Sequence, residues 1–123
     1  MKSLIRVLVL LAAVLALSVG VLGNNATWGH IGYFDRVIAR DRVEHPANWF
    51  TKHKETILYP PKGHENFNIL TAIRVTDYGG PKNFGQATLL QGGPGHFNAT
   101  IEVRSQTRRP LNMTIEYFGR ASI

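Results

Sequence analysis

The feature that most constrains the fold is a two-residue alternation of apolar and polar side chains in the second half, cut into short segments by turn clusters. "NFNILTAIRVTD" places Phe67, Ile69, Thr71, Ile73 and Val75 on one face and Asn68, Leu70, Ala72, Arg74 and Thr76 on the other. A period of two is the mark of a strand, because successive side chains leave opposite faces. Leu70 and Ala72 make the second face mixed, as in a strand buried on both sides. "NATIEVRSQ" alternates Ile101 and Val103 with Thr100, Glu102 and Arg104. "LNMTIEYFG" sends Leu111, Met113, Ile115 and Tyr117 inward and Asn112, Thr114 and Glu116 outward. "QATLLQ" is a shorter strand before them, "YGGPKNFG" is a loop and "TRRP" a turn. The short connections suit antiparallel hairpins, so residues 85–119 are expected to form a β-meander.

The first half carries weaker signals. "TWGHIGYF" is a strand interrupted by Gly29 and Gly32. "DRVIARDRV" fits a helix through Phe34, Val37 and Ile38, or a strand through Val37, Ala39 and Val43. Asp41 is misplaced in both, and the strand is preferred. "WFTKHKETILYPP" supplies a strand over residues 54–59, stopped by Pro60 and Pro61, which cannot donate to a ladder. About six or seven strands without helical periodicity predict an all-β domain, a small antiparallel sandwich or flattened barrel.

The chain opens with Lys2 and Arg6, an unbroken apolar run over residues 7–17, and small residues up to Gly23. The apolar stretch falls short of the roughly 20 residues that span a bilayer as a helix. This pattern predicts a secretory signal helix over residues 1–23, cleaved between Gly23 and Asn24, and a single domain over residues 24–123. The domain has no cysteine, so it must hold together by packing rather than by disulfides, and it has no thiolate for metal binding or catalysis. The leader takes two of the fourteen basic residues, leaving twelve against eight acidic ones, a net charge of +4. The charges are interspersed, as on a solvated mixed surface, and no direct nucleic-acid contact is expected. Asn25, Asn98 and Asn112 each begin an Asn-x-Thr triplet without proline, the acceptor pattern for N-glycosylation. Asn98 and Asn112 share the polar parity of their strands, where a bulky glycan can point to solvent.

Few residues invite catalysis. "GGPGH" lacks the Lys-Ser/Thr and the following helix of a phosphate loop, and Pro94 removes a backbone donor, so a turn is expected there. His30, His45, His53, His64 and His96 stand in no metal-ligand spacing. Ser105 and Ser122 lack a nucleophile-elbow context. Glu102 and Glu116 could approach one another on adjacent strands, but on a solvent face, where burial would not raise a carboxyl pKa. No enzymatic activity, metal or cofactor is expected. Trp49, Phe50 and Phe84 are the aromatics expected to be exposed, where they would serve recognition.

Residues 68–120, "NILTAIRVTDYGGPKNFGQATLLQGGPGHFNATIEVRSQTRRPLNMTIEYFGR", resemble an insect family. It joins probable salivary secreted peptides with the multiprotein bridging factor two transcription activators. The resemblance rests on Ile69, Ala72, Ile73 and Asp77, on Gly92, Gly93 and Gly95, and on Ile101, Ser105, Gln106, Glu116 and Tyr117. Thr107 departs from it where a basic residue is expected, and Thr114 stands near an apolar position. The resemblance implies either a secreted salivary or haemolymph protein or a co-activator bridging a nuclear receptor to a basal transcription factor. The leader and the outward sequons favour a secreted, glycosylated binding domain with an extracellular partner; the co-activator is the alternative.

Overall fold

The structure is a computed structural model and describes residues 25–120, so the expected signal helix and its cleavage point lie outside the described residues. Among the described residues seven strands follow one another: β1 (Ala26–Gly29), β2 (Arg36–His45), β3 (Lys54–Tyr59), β4 (Leu70–Asp77), β5 (Gln86–Gly92), β6 (Ala99–Arg104) and β7 (Leu111–Gly119). They form two antiparallel sheets, one of four strands ordered β1-β4-β7-β2 and one of three ordered β3-β6-β5. The sheets pack face to face without closing, so the architecture is a sandwich rather than a barrel.

The core is what the alternation demands. Val43, Ile73, Val75, Leu111, Met113, Ile115 and Tyr117 point inward from the larger sheet. Ala99, Ile101 and Val103 meet them from the smaller one, with Ile57, Tyr59 and Leu89 packed around the edge. The rings of Tyr59 and Tyr117 stack across the sandwich at 4.2 Å between centroids. Asp41, misplaced by either periodicity, faces the interior and accepts a 2.9 Å hydrogen bond from the Tyr117 hydroxyl. A buried polar group needs such a partner, and here each supplies the other's. Burial raises the Tyr117 phenol well above its usual range, and the Asp41 charge and hydrogen bond push it further.

Three expectations are corrected. Residues 85–119 are not a meander: β5 and β6 form a hairpin, but β7 crosses to the other sheet and becomes its inner strand between β4 and β2. Glu102 and Glu116 therefore stand on opposite outer faces of the sandwich. Glu102 pairs with Lys54 and Arg104, and Glu116 with Arg40 and Arg74. Phe67 and Ile69 do not join Ile73 on the inner face. β4 begins only at Leu70, a register irregularity between Leu70 and Ala72 breaks the alternation, and both residues are exposed. A bulge inserts one unpaired residue and shifts every side chain beyond it to the other face.

The glycine-rich stretch is a turn, as expected. Gly92, Gly93 and Gly95 all have positive φ, a conformation that glycine adopts without steric cost. The turn also ties the two sheets together. The Gly95 amide donates to the Leu70 carbonyl at 2.7 Å, and the Leu70 amide donates to the His96 carbonyl at 2.8 Å.

Candidate recognition site

The antiparallel order gathers the loops at two ends of the sandwich. One end carries residues 46–53, 78–85 and 105–110; the other carries residues 30–35, 60–69 and 93–98. Loops that a rigid scaffold holds at one end are where binding functions concentrate.

Trp49 and Phe50 are on the first end, 77% and 97% exposed. The Asn48 side chain accepts from the Phe50 amide at 3.0 Å and shapes this tip. Phe84 is half-buried rather than exposed, and lines a shallow cleft of 290 Å³ with Lys52, Gln86, Arg104 and Gln106. The cleft is fixed by hydrogen bonds from Gln106 Nε2 to the Phe84 carbonyl and from the His53 amide to the Ser105 hydroxyl. Ser105 and Gln106 thus act as loop-fixing residues. His45 and His53 stack at 5.0 Å, and His45 Nε2 lies 2.7 Å from a Glu55 carboxylate oxygen, joining β2 of one sheet to β3 of the other. His30, His64 and His96 belong to the opposite end, and no group of three potential metal ligands comes together among the described residues.

The second end holds residues that sequence reasoning did not single out together. Tyr33 and Phe34 pack edge to face in the open, and Phe67 and Phe97 flank a groove of 570 Å³. The signal for Phe67 was the Pro60-Pro61 stop followed by polar "KGHEN", which already argues for loop rather than strand up to that point. Asn66 holds the groove in shape: its Nδ2 donates to the Asn68 carbonyl at 2.7 Å and to the Phe97 carbonyl at 2.9 Å. Asn98 forms part of the groove wall.

The other two sequon asparagines are also at the surface, Asn25 exposed and Asn112 half-exposed on the outer face of β7. Asn25 Oδ1 accepts from the Asp77 amide at 2.8 Å, and Asn112 Oδ1 accepts weakly from Arg42. Both bonds use the oxygen. A sugar attaches through Nδ2, so neither bond competes with it.

Two carboxylates have lowered pKa values. The Gly32 amide, donating at 2.6 Å, is the main cause for Asp35; it and the Arg120 guanidinium at 2.9 Å outweigh the opposing effect of burial. For Glu116 burial is the largest single influence and raises the pKa, but the hydrogen bonds and charges of Arg40 and Arg74 together overcome it. Both groups stabilise the fold fully above the ordinary carboxyl values of 3.8 and 4.5, and lose that contribution as pH falls through their lower folded values. Thermal melts from neutral pH down to about pH 2 are expected to show stability falling below about pH 4, and Asp35→Asn to remove part of that slope.

Comparison with known proteins gives a family match. A family model described as "Transcription activator MBF2" matches residues 28–119. A protein named "Probable salivary secreted peptide" from Bombus ignitus is 29% identical over 103 residues, covering 79% of this chain and 75% of its own. No solved structure matches significantly.

Proposed function

The chain belongs to the family of transcription activator MBF2, and from that premise we propose a secreted, N-glycosylated, non-enzymatic domain that acts by binding an extracellular partner. The observation that carries this reading is the placement of the three sequons. Asn25 and Asn98 are exposed and Asn112 half-exposed, which supports the reading because a bulky glycan needs a surface attachment point. The leader pattern over residues 1–23 and the name of the Bombus relative support the same compartment. The exposed Trp49 and Phe50 give the domain an apolar contact of the kind that anchors protein interfaces.

The family description favours a second reading, a transcriptional bridging protein. One experiment separates the two. Expressed as the full chain in insect cells, the protein is expected in the medium, beginning near Asn24, with a mass that falls on enzymatic removal of N-glycans. Retention inside the cell at full length overturns the secreted reading. Activation of a reporter by a version lacking residues 1–23 would support the bridging role.

A further inference from the structure

We propose that the groove between residues 60–69 and the glycine-rich turn is a seat for the inner N-acetylglucosamine units of a glycan on Asn98. The proposal rests on the glycosylation reading above and adds a place for one of the sugars. Asn98 is itself part of the groove wall, so the first sugar would begin inside the groove with no tether to order. Phe67 and Phe97, 71% and 49% exposed, both line the groove. N-acetylglucosamine has flat C–H faces that pack on aromatic rings, while its hydroxyl and acetamido groups project around the edge. His64 and Glu65 line the same groove and supply donors and acceptors for those groups. A volume of 570 Å³ lies within the roughly 300–1,000 Å³ typical of small-ligand sites.

The seat is preorganised. Asn66 bonds the carbonyls of Asn68 and Phe97 at once, and so fixes the loop that carries Phe67 relative to the turn that carries Phe97. The Gly93 amide donates to the Asn98 carbonyl at 2.8 Å and sets the backbone of the attachment point. Attachment follows the usual secretory chemistry with a lipid-linked oligosaccharide diphosphate as co-reactant. Asn98 Nδ2 bonds to the anomeric carbon, the anomeric C–O bond to diphosphate breaks, the leaving diphosphate takes the electron pair, and the amide gives up a proton.

The test uses the full chain secreted from insect cells, with site-resolved mass spectrometry of sugar release by a glycosidase under native conditions. The rate at Asn98 is expected to rise about tenfold in Phe67→Ala, the factor that modest aromatic contacts supply. Phe67 is exposed, so its truncation spares the core. A melting temperature lowered by Thr100→Val, which abolishes the sequon but keeps the side-chain shape, would further support the seat if Phe67→Ala lowers it only when Asn98 carries sugar. Equal release rates from occupied Asn98 in both proteins overturn the seat and leave the glycosylation reading standing. An empty Asn98 beside sugar on Asn25 or Asn112 does the same. Secreted protein without sugar at any sequon overturns both.

Discussion

Replacing Ile115 by alanine is expected to lower stability by about 3–4 kcal/mol, the range for deleting a large buried aliphatic side chain. β7 is an inner strand of the larger sheet, and Ile115 sits between Asp41 of β2 on one side and Val75 of β4 on the other. The side chain is fully buried in the cluster that contains Ile101 and Val103 of the facing sheet. Backbone ladders on both flanks keep the neighbouring strands from collapsing into the space, so the cavity persists and its cost adds to the lost transfer energy. For a domain of this size the loss corresponds to a melting temperature lower by about 15–20 °C. Leu90→Ala, on a side chain half in solvent, should change stability by less than about 0.5 kcal/mol. Urea unfolding of both variants checks the contrast. A loss below about 1 kcal/mol for Ile115→Ala would mean that β7 is not the inner strand.

The alternation in "NATIEVRSQ" and "LNMTIEYFG" identifies Ile101 and Val103 of β6 and Leu111, Met113, Ile115 and Tyr117 of β7 as inward, because which face a side chain takes is a local property of a strand; Ala99, small and at the start of β6, joins them in the core. Which strand it pairs with is not local. The six residues from Ser105 to Pro110 are long enough either to fold a hairpin or to cross the roughly 10 Å between packed sheets. Nothing in their composition decides between the two, and the chain crosses. Asp41 shows the reverse case. Its misfit was visible in the sequence, but its partner, the Tyr117 hydroxyl, lies on a strand 76 positions away. At Leu70 the bulge reset the parity, and Phe67 and Ile69 became surface. The groove that Phe67 borders forms where the turn at residues 93–98 bonds back to Leu70. Trp49 and Phe50 were found because the preceding "EHPAN" breaks periodicity on its own. The sequence puts Phe84 in its loop but not its half-burial, since the cleft around it is built by Ser105 and Gln106 from another loop.

Asp77 controls that loop, and Asp77→Ala is expected to cost about 3 kcal/mol while loosening residues 78–85. The residue ends the strand motif through which the sequence resembles its family, and its side chain is almost wholly buried. One carboxylate oxygen accepts from the Gly79 amide at 2.9 Å and the other from the Gly85 amide at 2.8 Å, so a single side chain holds both ends of the loop. Losing it takes an acceptor from two amides, each worth roughly 1–3 kcal/mol when left unsatisfied out of water. No larger residue can fill the gap from within the loop, where a Cβ on Gly79 would stand 2.1 Å from the Asn83 carbonyl oxygen. Asp77→Asn keeps one acceptor and is expected to lose about half as much. Hydrogen exchange distinguishes a loosened loop from a general destabilisation. Protection should vanish at Gly79 and Gly85 in Asp77→Ala and persist in the ladder between β5 and β6. Unchanged protection at both glycines would show that other contacts hold the loop. If the cleft around Phe84 serves recognition, the same variant should weaken partner binding while Asp77→Asn largely retains it, because the loop's shape, not the carboxylate's charge, presents Phe84.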